Sequence, residues 1–280
     1  ARAGIWGRVE SGSLRPEPVS SASGAGRRID SWQVQGGVDA IVSERKDGST
    51  LVGGFSIHHG KADASIASVF GNGDIDTLGY GVGATLTWYG AQGAYLDAQV
   101  KLSRFNSDLT STVVGSLVDG NDGTGQALSL EAGKRLPMSA TLALTPQFQA
   151  VYAHVDFDRY ADQANAIVSA DKGSSLKTRW GLSLDHQKTW SSASGDTRRT
   201  HVYGVANLSY EWLDGTGVDV SGTAIASRDR RAWGELGVGG SLSWGRGTYT
   251  LFTEISADSP LADFGDAYGF KGTIGFRANF

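Results

Sequence analysis

The chain has 280 residues and a formal net charge of -4, with 40 Gly, 5 Pro, 1 Met, 8 Trp, 9 Tyr and no Cys. The missing cysteine excludes a disulfide framework and thiolate metal sites and leaves the redox compartment open, and a mildly acidic balance without a basic stripe gives no reason to expect a nucleic-acid partner. No apolar run approaches the roughly 18 residues that a transmembrane helix needs, so helical membrane proteins are excluded as well.

Large β-barrels use this length as one domain. Abundant glycine and aromatic residues suit many turns and an interfacial aromatic population. A mean hydropathy of -0.22 is compatible with a membrane barrel, because lipid-facing and lumen-facing residues alternate and cancel in any average.

The start, Ala1 to Trp6, has no basic-then-apolar signal segment. The expectation is a fragment of a longer precursor rather than a chain trimmed of its signal. Strand-like alternation then recurs in about twelve segments, centred near Ile5, Val38, Phe55, Ala84, Val100, Leu130, Phe148, Leu182, Leu208, Val238, Leu251 and Phe276, an even number as in single-chain bacterial barrels. The fourth is the clearest. Leu78, Tyr80, Val82, Ala84, Leu86 and Trp88 alternate with Gly79, Gly81, Gly83, Thr85, Thr87 and Tyr89, and the fifth sets Ala94, Leu96, Ala98, Val100 and Leu102 against Tyr95, Asp97, Gln99, Lys101 and Ser103. A short turn between them makes an antiparallel hairpin.

Connections sort by parity. Even-numbered ones are tight, at 46–49, 90–93, 135–139 and 244–248, while odd-numbered ones are longer and polar, at 16–26, 64–74, 110–124, 159–173, 214–230 and 258–266. This predicts short periplasmic turns, longer extracellular loops and both termini in the periplasm. Trp88, Trp190, Trp244, Tyr249 and Phe280 fall near the short-turn ends, and Tyr80, Tyr152, Tyr210, Trp212 and Phe270 near the long-loop ends, as two interfacial girdles would. In the last strand Phe270, Ile274, Phe276, Ala278 and Phe280 share one face, and Lys271, Thr273, Arg277 and Asn279 the other. In water such an ending is an aggregation hazard; in a bilayer lipid covers the apolar face and a neighbouring strand takes the edge.

If the apolar faces meet lipid, the opposite faces line a pore with Arg8, Glu10, Asp39, Asp97, Lys101, Glu131, Arg135, Lys177, Arg179, Asp185, Glu211, Glu235, Glu254, Lys271 and Arg277. Charges of both signs there indicate a hydrated cavity with ion-pair networks, since unpaired buried charges are costly. Any single one can also simply stabilise the wall.

These segments resemble the translocator (β) domain of monomeric (type Va) autotransporters. The resemblance covers essentially the whole chain and rests on residues 5–9, 79–99, 129–135, 146–152 with 155–158, 233–239, and the terminal Phe280, in that order and spacing. It implies a single domain over 1–280, an all-β, 12-stranded antiparallel transmembrane β-barrel in the outer membrane of a Gram-negative bacterium. It further implies a monomer that contacts outer-membrane lipid, periplasmic chaperones, the barrel assembly machinery and its own passenger and linker. The assembly signal would be Phe270, Ile274, Phe276 and Phe280. A pore-threading linker helix is implied before the first strand, but only Ala1, Arg2 and Ala3 stand there, so passenger and most or all of the linker are expected outside this chain.

Some members of that family cut the passenger off inside the barrel, and Asp97 and Glu131, inward on neighbouring strands, are where such acids would be sought. Structural carboxylates are the favoured reading for both. Two other functions stay open: a free-standing porin-like channel, and an outer-membrane hydrolase with its site on the outer loops. No metal or cofactor is expected. His58, His59, His154, His186 and His201 lack a ligand spacing, adjacent histidines on a strand point to opposite faces, residues 119–123 read as an ordinary polar turn before a calcium-binding one, and the glycines of 79–83 precede no helix that could bind a nucleotide phosphate.

Overall fold

Each stretch of alternating apolar and small or polar residues builds one strand of a single wall. The computed structural model describes residues 3–21, 24–69, 71–163, 165–191, 195–262 and 264–280. Its wall strands are β1 (Gly4–Arg15), β2 (Gly26–Glu44), β3 (Thr50–Ser68), β4 (Gly71–Tyr89), β5 (Ala94–Ser111), β6 (Gly115–Lys134), β7 (Leu142–Phe157), β8 (Ser174–Ser191), β9 (Thr197–Glu211), β10 (Ala232–Trp244), β11 (Tyr249–Pro260) and β12 (Tyr268–Asn279). Neighbours in sequence pair antiparallel throughout, and β12 pairs with both β11 and β1. The ring therefore closes, and the last strand has no free edge.

Sidedness follows from parity and is kept around the ring. Gln35 on β2 faces His58 on β3, His58 faces Gly81 on β4, and Gly81 faces Ser103 on β5, so small and polar residues share the inside. Outside, the side chains that a soluble protein would bury are open: Val38 is 51% exposed, Leu102 54%, Leu208 52% and Ile255 61%. Only Ala143, Ala267 and Pro260 represent a dry apolar core among the described residues. Such an inverted molecule is stable when hydrocarbon is the solvent of its outer face.

Aromatic side chains ring both ends of the apolar band. Trp244, Tyr249 and Phe276 touch one another near the short-turn end, with ring centroids 5.8 Å to 6.1 Å apart. Near the other end Tyr210 packs edge-on against Trp212, whose Nε1–H donates to Thr178 Oγ1 at 3.0 Å. Indole and phenol rings suit this height because one end is apolar and the other finds a polar partner.

The short turns at 45–49, 90–93 and 245–248 are as expected; the connection at 192–196 lies partly outside the described residues. Two of the expected long loops are different. Residues 64–74 and 110–124 are mostly strand: β3 runs to Ser68 before β4 begins at Gly71, and β5 runs to Ser111 before β6 begins at Gly115. The expected polar turn at 119–123 likewise lies inside β6, where register shifts around Asp108 and Gly120 has a positive φ of 75°. Backbone pairing continues there although the outer face is no longer apolar, so the lipid-facing alternation that marks a wall strand has faded. The connections at 158–173 and 212–231 carry further strands. Tyr160–Ala161, Ile167–Lys172, Thr216–Val220, Thr223–Arg228 and Ser20–Ser21 form a separate antiparallel sheet, in that order, at the long-loop end. An Arg27–Asp229 ion pair ties the second wall strand to this end of the molecule.

Candidate functional site on the inner wall

The inward charges are joined rather than scattered. Asp97 on β5 stands directly opposite Glu131 on β6, yet each keeps its own partners. Asp97 accepts from Thr87 Oγ1 at 2.5 Å and from Gln99 Nε2 at 2.7 Å. Glu131 accepts from the Tyr95 hydroxyl at 2.6 Å and from Arg179 Nη2 at 2.7 Å. Arg179 also donates from Nε to Gln149 Oε1 and from Nη1 to Asn207 Oδ1, both at 3.1 Å.

From Asn207 the chain of contacts continues. Its Nδ2 donates to Glu235 Oε1 at 2.6 Å; Glu235 Oε2 accepts from Lys271 Nζ at 3.0 Å and Ser256 Oγ at 3.3 Å, and Lys271 stands 3.8 Å from Asp258. One polar belt thus crosses every strand from β5 to β12. Charge-assisted bonds of this kind keep carboxylates and cations satisfied in a partly dehydrated wall.

Four smaller groups complete the wall. Arg277 Nη1 donates to Asp39 Oδ2 at 2.5 Å while Trp6 Nε1 donates to Asp39 Oδ1 at 3.2 Å, across the β12–β1–β2 closure. Arg8 donates to Gln35 at 3.0 Å and lies 3.6 Å from Glu10. Asp185 accepts from Thr145 at 2.9 Å and lies 2.8 Å from His201, which stacks on Tyr203; Tyr203 donates to Glu254. Glu211 is held by Ser175 Oγ at 2.6 Å and by the N–H groups of Leu176 and Leu213 at 2.9 Å and 3.0 Å, opposite Lys177 in register. Lys101 is inward and half-buried, with no hydrogen bond or ion pair to another described residue. Arg135 lies beyond the end of β6, exposed, with only its backbone N–H anchored, to Gly93 O at 2.9 Å.

Several inward rings lie flat over a glycine of the next strand. A Cβ on Gly133 would come within 2.5 Å of the Tyr95 ring, and one on Gly239 or Gly275 would overlap Tyr203 or Phe252. Glycine makes room there for an aromatic that would otherwise project into the lumen. Above the belt the lumen opens into a cavity of about 790 Å³ lined by Glu10, Leu14, Lys101, Phe105, Lys177 and Lys271 among others, apolar and charged together.

Both oxygens of Asp97 and of Glu131 are engaged, so neither acid stands free beside an open cavity. His58 reaches inward to Ser103 at 2.9 Å while His59 contacts Trp32 outside, and among the described residues no group of histidines and acids has the arrangement of a metal site. Phe270, Ile274 and Phe276 on β12 are exposed on the outer face, and Phe280, one residue past the strand, is exposed as well. Sequence reading missed Tyr95, Gln149, Asn207, His201, Tyr203 and Asp258 as members of the wall networks. Their strand parity marks them as inward, but their partners depend on inter-strand register.

The chain matches the family model described as the autotransporter beta-domain over residues 5–256. It is 36% identical to the adhesin BmaC autotransporter of Brucella suis over 278 residues, which is 99% of this chain and 8% of that protein. It therefore spans a small part of that relative's length. In fold it is similar to the transport unit of the autotransporter AIDA-I from Escherichia coli, with TM-score 0.79, 16% identity and coverage of 99% and 90% of the two chains. It also resembles the β domain of the Bordetella autotransporter BrkA, with TM-score 0.73, 19% identity and full coverage of both chains.

Proposed function

The chain belongs to the autotransporter β-domain family, and from that premise we propose how its wall serves export. Its function is that of an outer-membrane translocator supporting passage of a linked passenger domain to the cell surface. The alternatives of a free-standing porin and an outer-membrane hydrolase are not favoured by these relationships.

The finer reading is ours. The inward residues from Arg8 to Arg277 form the conduit wall, and the belt from Tyr95 to Lys271 supports it. Charges already paired along the wall offer a moving polypeptide a wetted surface without strong single sites that would hold it. The short turns, the start of β1 and the end of β12 face the periplasm and the long-loop sheet faces outside. Phe270, Ile274, Phe276 and Phe280 are read by the assembly machinery after periplasmic chaperones deliver the chain, and the barrel works as a monomer. It turns over no substrate; Asp97 and Glu131 are held in the wall and serve as structural carboxylates.

One observation supports this most: a closed ring with an exposed apolar exterior encloses an interior lined by charges most of which are paired with one another. The test is to express the chain behind a signal peptide and a reporter segment. The expected result is a reporter cut by protease added to intact cells. A reporter that stays protected while the barrel itself is folded in the outer membrane would reject the export reading.

A further inference from the structure

On the outside of β4 to β7 the apolar band ends at one register row. Tyr80, Arg104, Thr124 and Asp156 are consecutive cross-strand partners, and beneath them run Val82, Leu102, Gln126 and His154. Parity turns all of these outward, with Tyr80 58% exposed and Leu102 54%. They border an open concavity of about 800 Å³ whose floor is aliphatic at Val82 and Leu102 and polar at Gln126 and His154.

The charges in this notch are unusual for their height. Elsewhere on the outer face near this end, Lys61 pairs with Asp63 and Asp76, and Arg28 with Asp30. The Arg104 guanidinium and the Asp156 carboxylate have no hydrogen bond or ion pair with any described residue. Thr124 stands between them, so they are two strand spacings apart, about 10 Å. That is the span over which Arg179 reaches Glu131 on the inner wall, yet here the two side chains stand apart. Unpaired charges beside hydrocarbon are costly, and a headgroup carrying both signs would satisfy the two together.

We propose that this notch is a binding site for a membrane lipid whose headgroup carries a phosphate and a primary ammonium. Arg104 takes the phosphate as a planar donor, with the Thr124 hydroxyl and Gln126 amide beside it. Asp156 takes the ammonium. Acyl chains run down over Leu102 and Val82. The inference rests on the reading of the outer face as lipid-facing.

The folded chain is titrated in detergent with phosphatidylethanolamine or phosphatidylglycerol, and retained lipid is counted by native mass spectrometry. The expected result is phosphatidylethanolamine retained at least about threefold over phosphatidylglycerol, a preference erased by Arg104→Gln or Asp156→Asn and kept by Arg28→Gln. Equal retention by the unaltered chain, or a preference that survives Arg104→Gln, overturns the site. Insertion into vesicles with the heat-dependent migration of a folded barrel is scored in parallel. If insertion holds and the preference is missing, this site alone fails; loss of insertion would overturn the membrane reading beneath it.

Discussion

Arg179 on β8 reaches over β7 to Glu131 on β6, with Nη2 2.7 Å from Oε2, while its Nε is held by Gln149 on the strand between. The guanidinium thus staples three strands, and both ionic partners are mostly withdrawn from solvent, at 25% and 19% side-chain exposure. A double-mutant cycle with Glu131→Gln and Arg179→Met should give a coupling of about 1–2 kcal/mol in urea unfolding from lipid vesicles. Additive single effects would mean that the pair is idle.

Gly133 should be intolerant and Gly272 tolerant. A Cβ at 133 would strike the Tyr95 ring at 2.5 Å and dislodge the hydroxyl from Glu131, whereas one at 272 meets nothing within 4 Å. Gly133→Ala should cost about 1–3 kcal/mol, and Gly272→Ala about zero or slightly stabilise. Equal unfolding midpoints for the two variants would show that the ring moves aside freely.

The wall strands are legible in the sequence wherever lipid imposes an apolar outer face, as in Leu78 to Trp88. They are illegible where the hairpins rise above the membrane. Around Asp63, Asp76 and Asp108 the outer face is acidic and the aliphatic side chains Ala64, Ile75 and Leu109 lie on the inner one, so the lipid-facing pattern that marks a wall strand is gone, although these residues are cross-strand neighbours. The candidate site divides the same way. That Asp97 and Glu131 both face inward follows from parity on each strand. That Asp97 holds Gln99 while Glu131 holds Arg179 depends on register and strand tilt, which parity does not carry. Residues such as Tyr203 and Phe252 look like ordinary strand aromatics until the glycine across from each is known.

Asp97 and Glu131 should not drive passenger release. Each carboxylate already accepts two hydrogen bonds within the wall, so neither is available to orient a linker amide without breaking them. Asp97→Asn and Glu131→Gln, placed in a full-length precursor, should leave the amount of released passenger within about twofold of the parent. A drop of about a hundredfold or more in either variant would instead assign a self-cleavage role.

The turn at 45–49 should contribute an acid-labile share of stability. Asp47 Oδ1 accepts the Ser49 N–H at 2.9 Å and the Ser49 hydroxyl at 2.7 Å, and these bonds, the backbone one foremost, hold its pKa below the ordinary value. A lowered folded-state pKa means that the contribution is complete above the unfolded pKa and disappears as pH falls through the folded one. The unaltered chain should therefore exceed Asp47→Ala in unfolding midpoint at neutral pH, with the gap closing between about pH 4 and pH 2. A gap that stays constant over that range would show that the carboxylate charge plays no part.

Phe280 separates a structural role from an assembly role. Its side chain is 82% exposed, and its backbone N–H donates to Ala3 O at 3.0 Å whatever the side chain. Phe276 differs, because its ring packs against both Trp244 and Tyr249. Phe280→Ala should therefore shift folded stability by less than about 0.5 kcal/mol, and the purified chain should refold into plain lipid vesicles at the parental rate. Phe276→Ala should be impaired there, since it loses girdle packing. In cells, where the closing strand is proposed to be read before insertion, Phe280→Ala should lower the folded outer-membrane fraction several-fold. Parental levels in cells would deny the terminal ring any part in targeting. An equal deficit in vesicles would reassign it to the stability of the rim, because lipid alone cannot read an address.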